Sequence, residues 1–218
     1  RLEKMGAVFG SSFGLERANW FAPQGVKQVD DWSFRRSKYF THVGNEAKNV
    51  SKNVGILDLS GFAKCKISGD NAEEFLNSFV ANKLPNKVGS IKLCHSLTSK
   101  GGVHSEFTIT KEAKNLYYII SAGAFTRLDH DWILKSSQSF ENINFQDFTN
   151  ALGVFVIAGP KSRELLQRCT TTKLDNTHFP WLSAKKIDVG SAPVFAMRVN
   201  FVGELGWEIH HPIEYQNH

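Results

Sequence analysis

The sequence predicts an α+β fold made of duplicated split β-α-β units, with mainly antiparallel or mixed sheets. Strand patterns follow one another as hairpins in each half of the chain, which favours antiparallel pairing. Two strand-to-helix joints also resemble each other: ISGDNAEEFL begins at Ile67 and IAGPKSRELL begins at Ile157. The likeness suits a duplicated unit, although strand–glycine–helix joints are common enough for it to arise by chance.

The first half of the chain alternates helix and strand patterns. An apolar stripe over residues 40–54, with spacings of three and four, predicts a helix that Gly55 ends. Apolar residues alternate with lysines over residues 63–67, which predicts a strand. Asp70 is placed to cap the next helix, with Glu73 in the capping-box position.

Strand patterns dominate the rest of the chain. The segments that fit strands are residues 56–60, 91–97, 103–110, 117–121 and 154–158. Among them, Phe125, Leu128 and Trp132 mark a helix, and Gly159-Pro160 opens a last one.

Residues 1–28 have no lasting periodicity, and we interpret them as the tail of a preceding domain and a connector. Residues 29–218 then form one domain that is truncated at its C-terminus. Two observations favour an internal fragment of a longer chain: the first residue is Arg1, and residues 212–218 resemble the start of a helix.

The composition is that of an ordinary globular protein, 41% apolar and 22% charged. No apolar run approaches the length of a membrane helix, so we expect no membrane partner. The net charge of +5 comes from scattered lysines without a basic block, which favours a mixed solvated surface over nucleic-acid binding. Three cysteines far apart in sequence indicate reduced thiols in a cytosol-like compartment.

Two carboxylates are candidates for chemistry. Glu204 lies between glycines in FVGELGWE, a strand–turn–strand pattern that could aim its carboxylate at the paired N–H groups of a planar heterocycle. An ordinary hairpin explains the same residues. Glu106 lies on the polar face of a strand after the Gly101-Gly102 turn, where it could act as an acid, a base or an acceptor. A solvated strand face is the alternative for Glu106.

Other motifs point away from metal and nucleotide chemistry. His210 and His211 are consecutive strand residues that point to opposite faces, so we expect no metal site there. No P-loop is present, and no GxGxxG opens a helix after a strand, so we expect no dinucleotide site within this chain.

An ordered set of motifs from Tyr39 onward resembles the aminomethyltransferase (glycine cleavage T-protein) folate-binding domain. The motifs are VGILDLSGFAKCKISGDNAEEFL, GGVHSEFTIT, IAGP and FVGELGWE. The surrounding segments ERANWF and DDWSFRRS, with the HSEF and GELGWE variants, are similar to the C-terminal half of bacterial FAD-dependent dimethylglycine or sarcosine dehydrogenases.

The resemblance implies a one-carbon reaction. A flavin domain outside this chain would use FAD to oxidise a small N-methylated amine to an iminium. Tetrahydrofolate, bound by the domain in this chain, would capture the carbon and become 5,10-methylenetetrahydrofolate. The fragment alone is expected to be inactive and to bind folate poorly. The implied location is the bacterial cytoplasm, or the mitochondrial matrix in a eukaryote.

The resemblance also assigns roles to residues. Glu204 matches the glutamate that accepts hydrogen bonds from the pterin, and Glu106 falls where the family has a functional aspartate near the reactive folate nitrogens. Ala122 or Gly123 falls where the family places a polar amide, so that contact is expected to be lost. Four residues match positions that line the pterin and benzoate slot: Phe62, Ile91, Tyr118 and Ile120.

Two other functions fit the same motifs. The first is a stand-alone glycine cleavage aminomethyltransferase that takes its carbon from a lipoyl carrier protein; the upstream ERANWF segment argues against it. The second is a non-catalytic folate-binding or RNA-binding relative, which the scattered lysines disfavour.

Overall fold

Two five-stranded antiparallel sheets and an N-terminal hairpin form the computed structural model, which describes residues 1–218. The strands are β1 (Ala7–Ser12), β2 (Leu15–Phe21), β3 (Gly55–Asp58), β4 (Ala63–Ser68), β5 (Ile91–Leu97), β6 (Val103–Ala113), β7 (Leu116–Ser121), β8 (Asn144–Asp147), β9 (Leu152–Ala158), β10 (Ala184–Val189), β11 (Ala192–Met197) and β12 (Gly206–Pro212). The helices are α1 (Phe40–Lys52), α2 (Ala72–Phe79), α3 (Thr126–Ser137) and α4 (Ser162–Gln167), with short 3-10 helices at Glu3–Met5, Gly123–Phe125 and Ile213–Tyr215. None of these helices is long and apolar enough to cross a membrane.

The two sheets have the same connectivity, which confirms the predicted duplication. The first sheet has the order β5-β6-β7-β4-β8 and the second has the order β10-β11-β12-β9-β3. In each, the strand that leads into a helix, β4 or β9, pairs with the last strand of its own half. The edge strands are exchanged: β3 pairs with β9, and β8 pairs with β4. The halves are therefore interlocked.

The two similar strand-to-helix joints share one backbone conformation. Gly69 and Gly159 both have a φ of +124°, a value that residues with a side chain rarely adopt. A Cβ atom on Gly69 would lie 1.9 Å from the Asn142 carbonyl oxygen, and one on Gly159 would lie 2.5 Å from that of Asn53. The glycine that the two joints share thus reflects a close backbone approach in both halves.

We expect Gly159→Ala to lower the free energy of unfolding by about 1–3 kcal/mol, because it combines a positive φ with a steric clash. Gly101→Ala is the matched control, since Gly101 has a φ of +78° but a Cβ atom at this position would meet no other atom within 4 Å. Urea unfolding of both variants measures the difference. If both variants lost the same free energy of unfolding, the close approach of backbone atoms at Gly159 would not contribute to the effect.

Each sheet is covered by helices on one face and faces the other sheet with the opposite face. Beneath α2 and α3, the first sheet buries a core that includes Ile67, Phe75 and Ile109. The second sheet buries a core that includes Leu166 of α4 and Trp207. A third cluster joins the sheets: Ile91, Tyr118 and Ile120 from the first, Ala184 and Met197 from the second.

Two local predictions about the helices were wrong. α1 ends at Lys52, and Gly55 is the first residue of β3. The predicted capping box also does not form, because Asn71 occupies the N-cap of α2 without a side-chain hydrogen bond. Glu73 instead accepts hydrogen bonds from Tyr117 Oη at 2.7 Å and Lys111 Nζ at 2.8 Å, which draw it towards the sheet.

The N-terminal segment is more regular than its sequence suggested. β1 and β2 pair as an antiparallel hairpin whose register shifts between Val8 and Phe9, and this bulge interrupts the alternation that would have revealed the strands. Val8, Trp20 and Ala22 are buried together. Trp20 Nε1 donates a hydrogen bond of 2.9 Å to Asp30.

Candidate functional site

The four residues predicted to line a slot lie together where the two sheets meet. Ile91, Tyr118 and Ile120 are buried, and Phe62 is half-buried against them. Tyr118 and Ile120 are alternate residues of β7 and therefore share one face of the sheet. The antiparallel pairing brings Ile91, at the start of β5, to the same face through Thr110, which pairs with both Ile91 and Tyr118.

Glu106 projects from the same face, further along the sheet. Thr108 pairs directly with Ile120, and Glu106 is two residues before Thr108 on β6. The Glu106 side chain is 56% exposed, and its Oε2 lies 3.0 Å from His95 Nε2 on the neighbouring strand. Leu93, two residues before His95, is 52% exposed on this face. The face is therefore open between the buried slot residues and the Glu106–His95 pair.

Glu204 lies in the loop of residues 198–205 that joins β11 to β12. The loop leaves the slot cluster directly, because Met197 belongs to that cluster and Val199 packs against it. The hydrogen bonds that fix this loop involve other groups: the Leu205 carbonyl accepts from Ser162 Oγ at 2.9 Å and from the Gly159 N–H at 2.8 Å, and the Val202 N–H donates to Asn200 Oδ1 at 3.0 Å. The half-buried Glu204 carboxylate is thus held on an ordered loop without being engaged by it.

The glycines beside Glu204 have structural reasons of their own. Gly203 has a φ of +80°, which a tight turn requires. A Cβ on Gly206 would lie 2.4 Å from the Ile157 carbonyl oxygen across the sheet. The glycines thus account for the hairpin, and the carboxylate between them is not needed for it.

Gly123, one of the two positions predicted to have lost a polar amide, has no room for one, whereas Ala122 is exposed. A Cβ on Gly123 would lie 1.8 Å from the Gly61 carbonyl oxygen, so the turn before β4 packs directly on the segment after β7. The same Cβ would lie 3.4 Å from Leu15 of the N-terminal hairpin.

A buried lysine supports the Phe62 turn, and sequence reasoning missed it. Lys64 has no exposed surface, and its Nζ donates hydrogen bonds of 2.7 Å to the carbonyl oxygens of Ser60 and Phe62. Burial lowers the pKa of Lys64 to about 8, although Asp147 and Asp58 act in the opposite direction. The alternation of β4 had placed this lysine on a polar face; the second sheet covers that face.

A chain of buried polar groups crosses the layer between the sheets, and sequence reasoning missed this as well. Tyr118 Oη lies 2.9 Å from His210 Nδ1, and His210 Nε2 lies 3.1 Å from Glu208 Oε2. Burial lowers the pKa of His210, which favours its neutral form. Because a carboxylate only accepts, Nε2 carries the proton, and Nδ1 accepts from the tyrosine hydroxyl.

His210 and His211 point to opposite faces, as the alternation predicts. His211 Nε2 lies 2.7 Å from Gln216 Oε1, and its ring stacks on Phe155 at 5.0 Å between centroids. The two imidazoles therefore belong to separate environments.

The arrangement of sheets is that of glycine cleavage aminomethyltransferase T. The chain superposes on the crystal structure of that protein from Bartonella henselae with a TM-score of 0.78, at 20% identity, covering 99% of this chain and 52% of that one. The chain belongs to the GCVT N-terminal domain family, whose model matches residues 1–218.

Two curated relatives are longer enzymes. Mitochondrial dimethylglycine dehydrogenase from Mus musculus is 34% identical over 203 residues, which are 93% of this chain and 23% of that protein. The formaldehyde-forming 4-methylaminobutanoate oxidase from Paenarthrobacter nicotinovorans is 29% identical over 210 residues, or 96% of this chain and 25% of that one. The chain thus spans about a quarter of the length of these relatives. The predicted relationship to T-proteins and to this group of dehydrogenases is confirmed.

Proposed function

We propose that this chain is the tetrahydrofolate-binding, one-carbon-accepting part of an FAD-dependent dimethylglycine or sarcosine dehydrogenase. It forms 5,10-methylenetetrahydrofolate from the iminium product of N-methyl amine oxidation. The observation that carries the proposal is the unengaged Glu204 carboxylate on a loop that leaves the Phe62, Ile91, Tyr118 and Ile120 cluster. The apolar faces suit a flat ring, and the carboxylate suits its N–H donors.

The contribution of this chain is to bind and orient. Glu204 accepts two N–H groups of the pterin and fixes the ring in its plane, while Phe62 supports one wall of the slot on the turn that Lys64 holds. Fixing the acceptor nitrogens near the incoming carbon makes its capture effectively intramolecular. The two new carbon–nitrogen bonds cost the folate two N–H protons. One proton leaves with the amine as its bond to the carbon breaks, and Glu106, with His95 behind it, accepts the other.

The FAD belongs to the part of the longer protein that lies outside this chain. It would accept the hydride that the amine loses on oxidation. Residues 1–218 contain no dinucleotide fingerprint that would hold it.

We expect Glu204→Gln in the full-length protein to weaken tetrahydrofolate binding by about 1–3 kcal/mol, because one pterin donor is left opposite another donor. Isothermal titration with tetrahydrofolate under anaerobic conditions measures the change. Glu214→Gln is the control, since Glu214 lies in the C-terminal 3-10 helix beyond β12. Unchanged affinity in Glu204→Gln would remove this residue from the site.

A stand-alone aminomethyltransferase is the second candidate, because the whole chain matches the GCVT N-terminal domain family. That function requires an aminomethyl group delivered on a lipoyl carrier protein. Methylenetetrahydrofolate formed from such a carrier, and not from an oxidised N-methyl amine, would select it over the first proposal.

A further inference from the structure

A cleft of about 420 Å³ opens between the two sheets at the end of β12 opposite to the Glu204 loop. This volume lies in the range of small-molecule sites. Its walls are largely apolar and include Leu152, Pro193, Phe195 and Pro212. Of the residues assigned above to the folate slot, only Tyr118 borders it.

The cleft also contains two lysines that share one carboxylate. Both lysines form ion pairs with Glu112: Lys66 Nζ lies 2.8 Å from Oε2, and Lys186 Nζ lies 3.0 Å from Oε1. Each ammonium has three N–H donors, and neither has another hydrogen-bond acceptor in the chain. Lys66 is held in place over the rings of Tyr118 and Phe148, at 5.8 and 5.0 Å from their centroids. Glu112 is a single carboxylate between two ammonium groups, and its buried Oε2 accepts no hydrogen bond, so donors of both lysines remain free to bind a second anionic acceptor in the cleft.

The remaining charges limit what that acceptor can be. Asp188 follows Lys186 on the same face of β10 and lines the cleft without an ion-pair partner in the chain. Tyr118 and His210 form the floor of the cleft and are joined by a hydrogen bond. Both are uncharged, so neither attracts nor repels an anion. The charges of Lys66 and Lys186 balance those of Glu112 and Asp188. A bound dianion would therefore add two negative charges near Asp188, whereas a monocarboxylate that bridges the lysines adds one.

We propose that this cleft is a second ligand site, separate from the folate slot, that binds a small monocarboxylate with an apolar body. The carboxylate bridges Lys66 and Lys186, and the body packs against Leu152, Pro193 and Phe195. The proposal goes beyond one-carbon transfer and does not depend on it, because the groups that carry it lie at the other end of β12.

Benzoate is the probe, and isothermal titration against the full chain is the measurement. We expect a Kd of about 1 mM or lower, which is within reach of a ligand of this size. Benzamide, which has the same shape without the charge, and phthalate, a dianion, should bind at least tenfold more weakly. Lys186→Met should weaken benzoate binding at least tenfold, as should Lys66→Met.

Lys173→Met, at an exposed lysine away from the cleft, should bind benzoate as the parent does. Lys186→Met is the decisive variant, because its side chain is 74% exposed and its loss does not threaten folding. Circular dichroism checks the fold of each variant. No benzoate binding by the parent, equal binding of benzamide, or unchanged binding by Lys186→Met would overturn the proposal.

Discussion

Amine oxidation by the full-length protein should survive Glu106→Ala, while formation of methylenetetrahydrofolate falls about 100-fold and free formaldehyde rises. The reason is the position of Glu106 on the open face beyond Ile120, paired with His95. Forming two carbon–nitrogen bonds at the folate removes two N–H protons. One leaves with the amine as its bond to the carbon breaks, and Glu106 is the carboxylate on that face able to take the other. Without it, the iminium is hydrolysed before capture.

Oxidation is followed with an artificial electron acceptor, and the two one-carbon products are measured separately. Glu16→Ala is the control, an exposed glutamate on β2. His95→Gln should slow the capture step without abolishing it, because His95 acts through Glu106. Equal partition between the two products in Glu106→Ala and the parent would show that Glu106 has no part in capture.

The free energy of unfolding should rise by about 3 kcal/mol between pH 8 and pH 10.5 because of Lys64 alone. The pKa of Lys64 is about 8 in the folded protein, against the ordinary lysine value of 10.5 in the unfolded chain. Between these values the unfolded chain binds more protons than the folded one, so stability increases with pH. Below pH 8 both states are protonated, and the cost of burying the ammonium is constant.

Lys64→Met should remove this rise. The measurement is urea unfolding from pH 7 to pH 10.5, compared as a difference between variant and parent so that other titrating groups cancel. Lys66→Met is the matched control on the same strand, because its ammonium is paired with Glu112. A Lys64→Met protein with the pH dependence of the parent would show that the buried amine is not responsible.

Much of the architecture could be predicted from local patterns. The strand of residues 91–97 was predicted with its observed limits, and the joints at Gly69 and Gly159 correctly indicated a duplicated unit. Strand alternation and glycine positions depend on neighbouring residues, so they can be recognised without knowing the rest of the fold. The capping box at Asp70 failed because Glu73 has stronger partners, Lys111 and Tyr117, that are distant in sequence.

The candidate site likewise contains residues that local patterns predicted and residues that they did not. Motifs nominated Glu204, Glu106 and the slot residues, and the structure places the four apolar ones in one cluster. Lys64, Glu208 and His210 were not nominated, since a polar residue in an alternating strand normally faces water.

The sequence alone establishes the four helices, most of the strands, the duplication and the turn that carries Glu204, because each depends on the chemistry of adjacent residues. It did not predict β1, β2, β8 or β10. Which face of β4 and β12 is buried follows from the packing of one sheet on the other. That packing joins residues as far apart as Tyr118 and His210, and no local pattern records it. For this reason the buried lysine, the polar chain between the sheets and the second cleft emerge only in three dimensions.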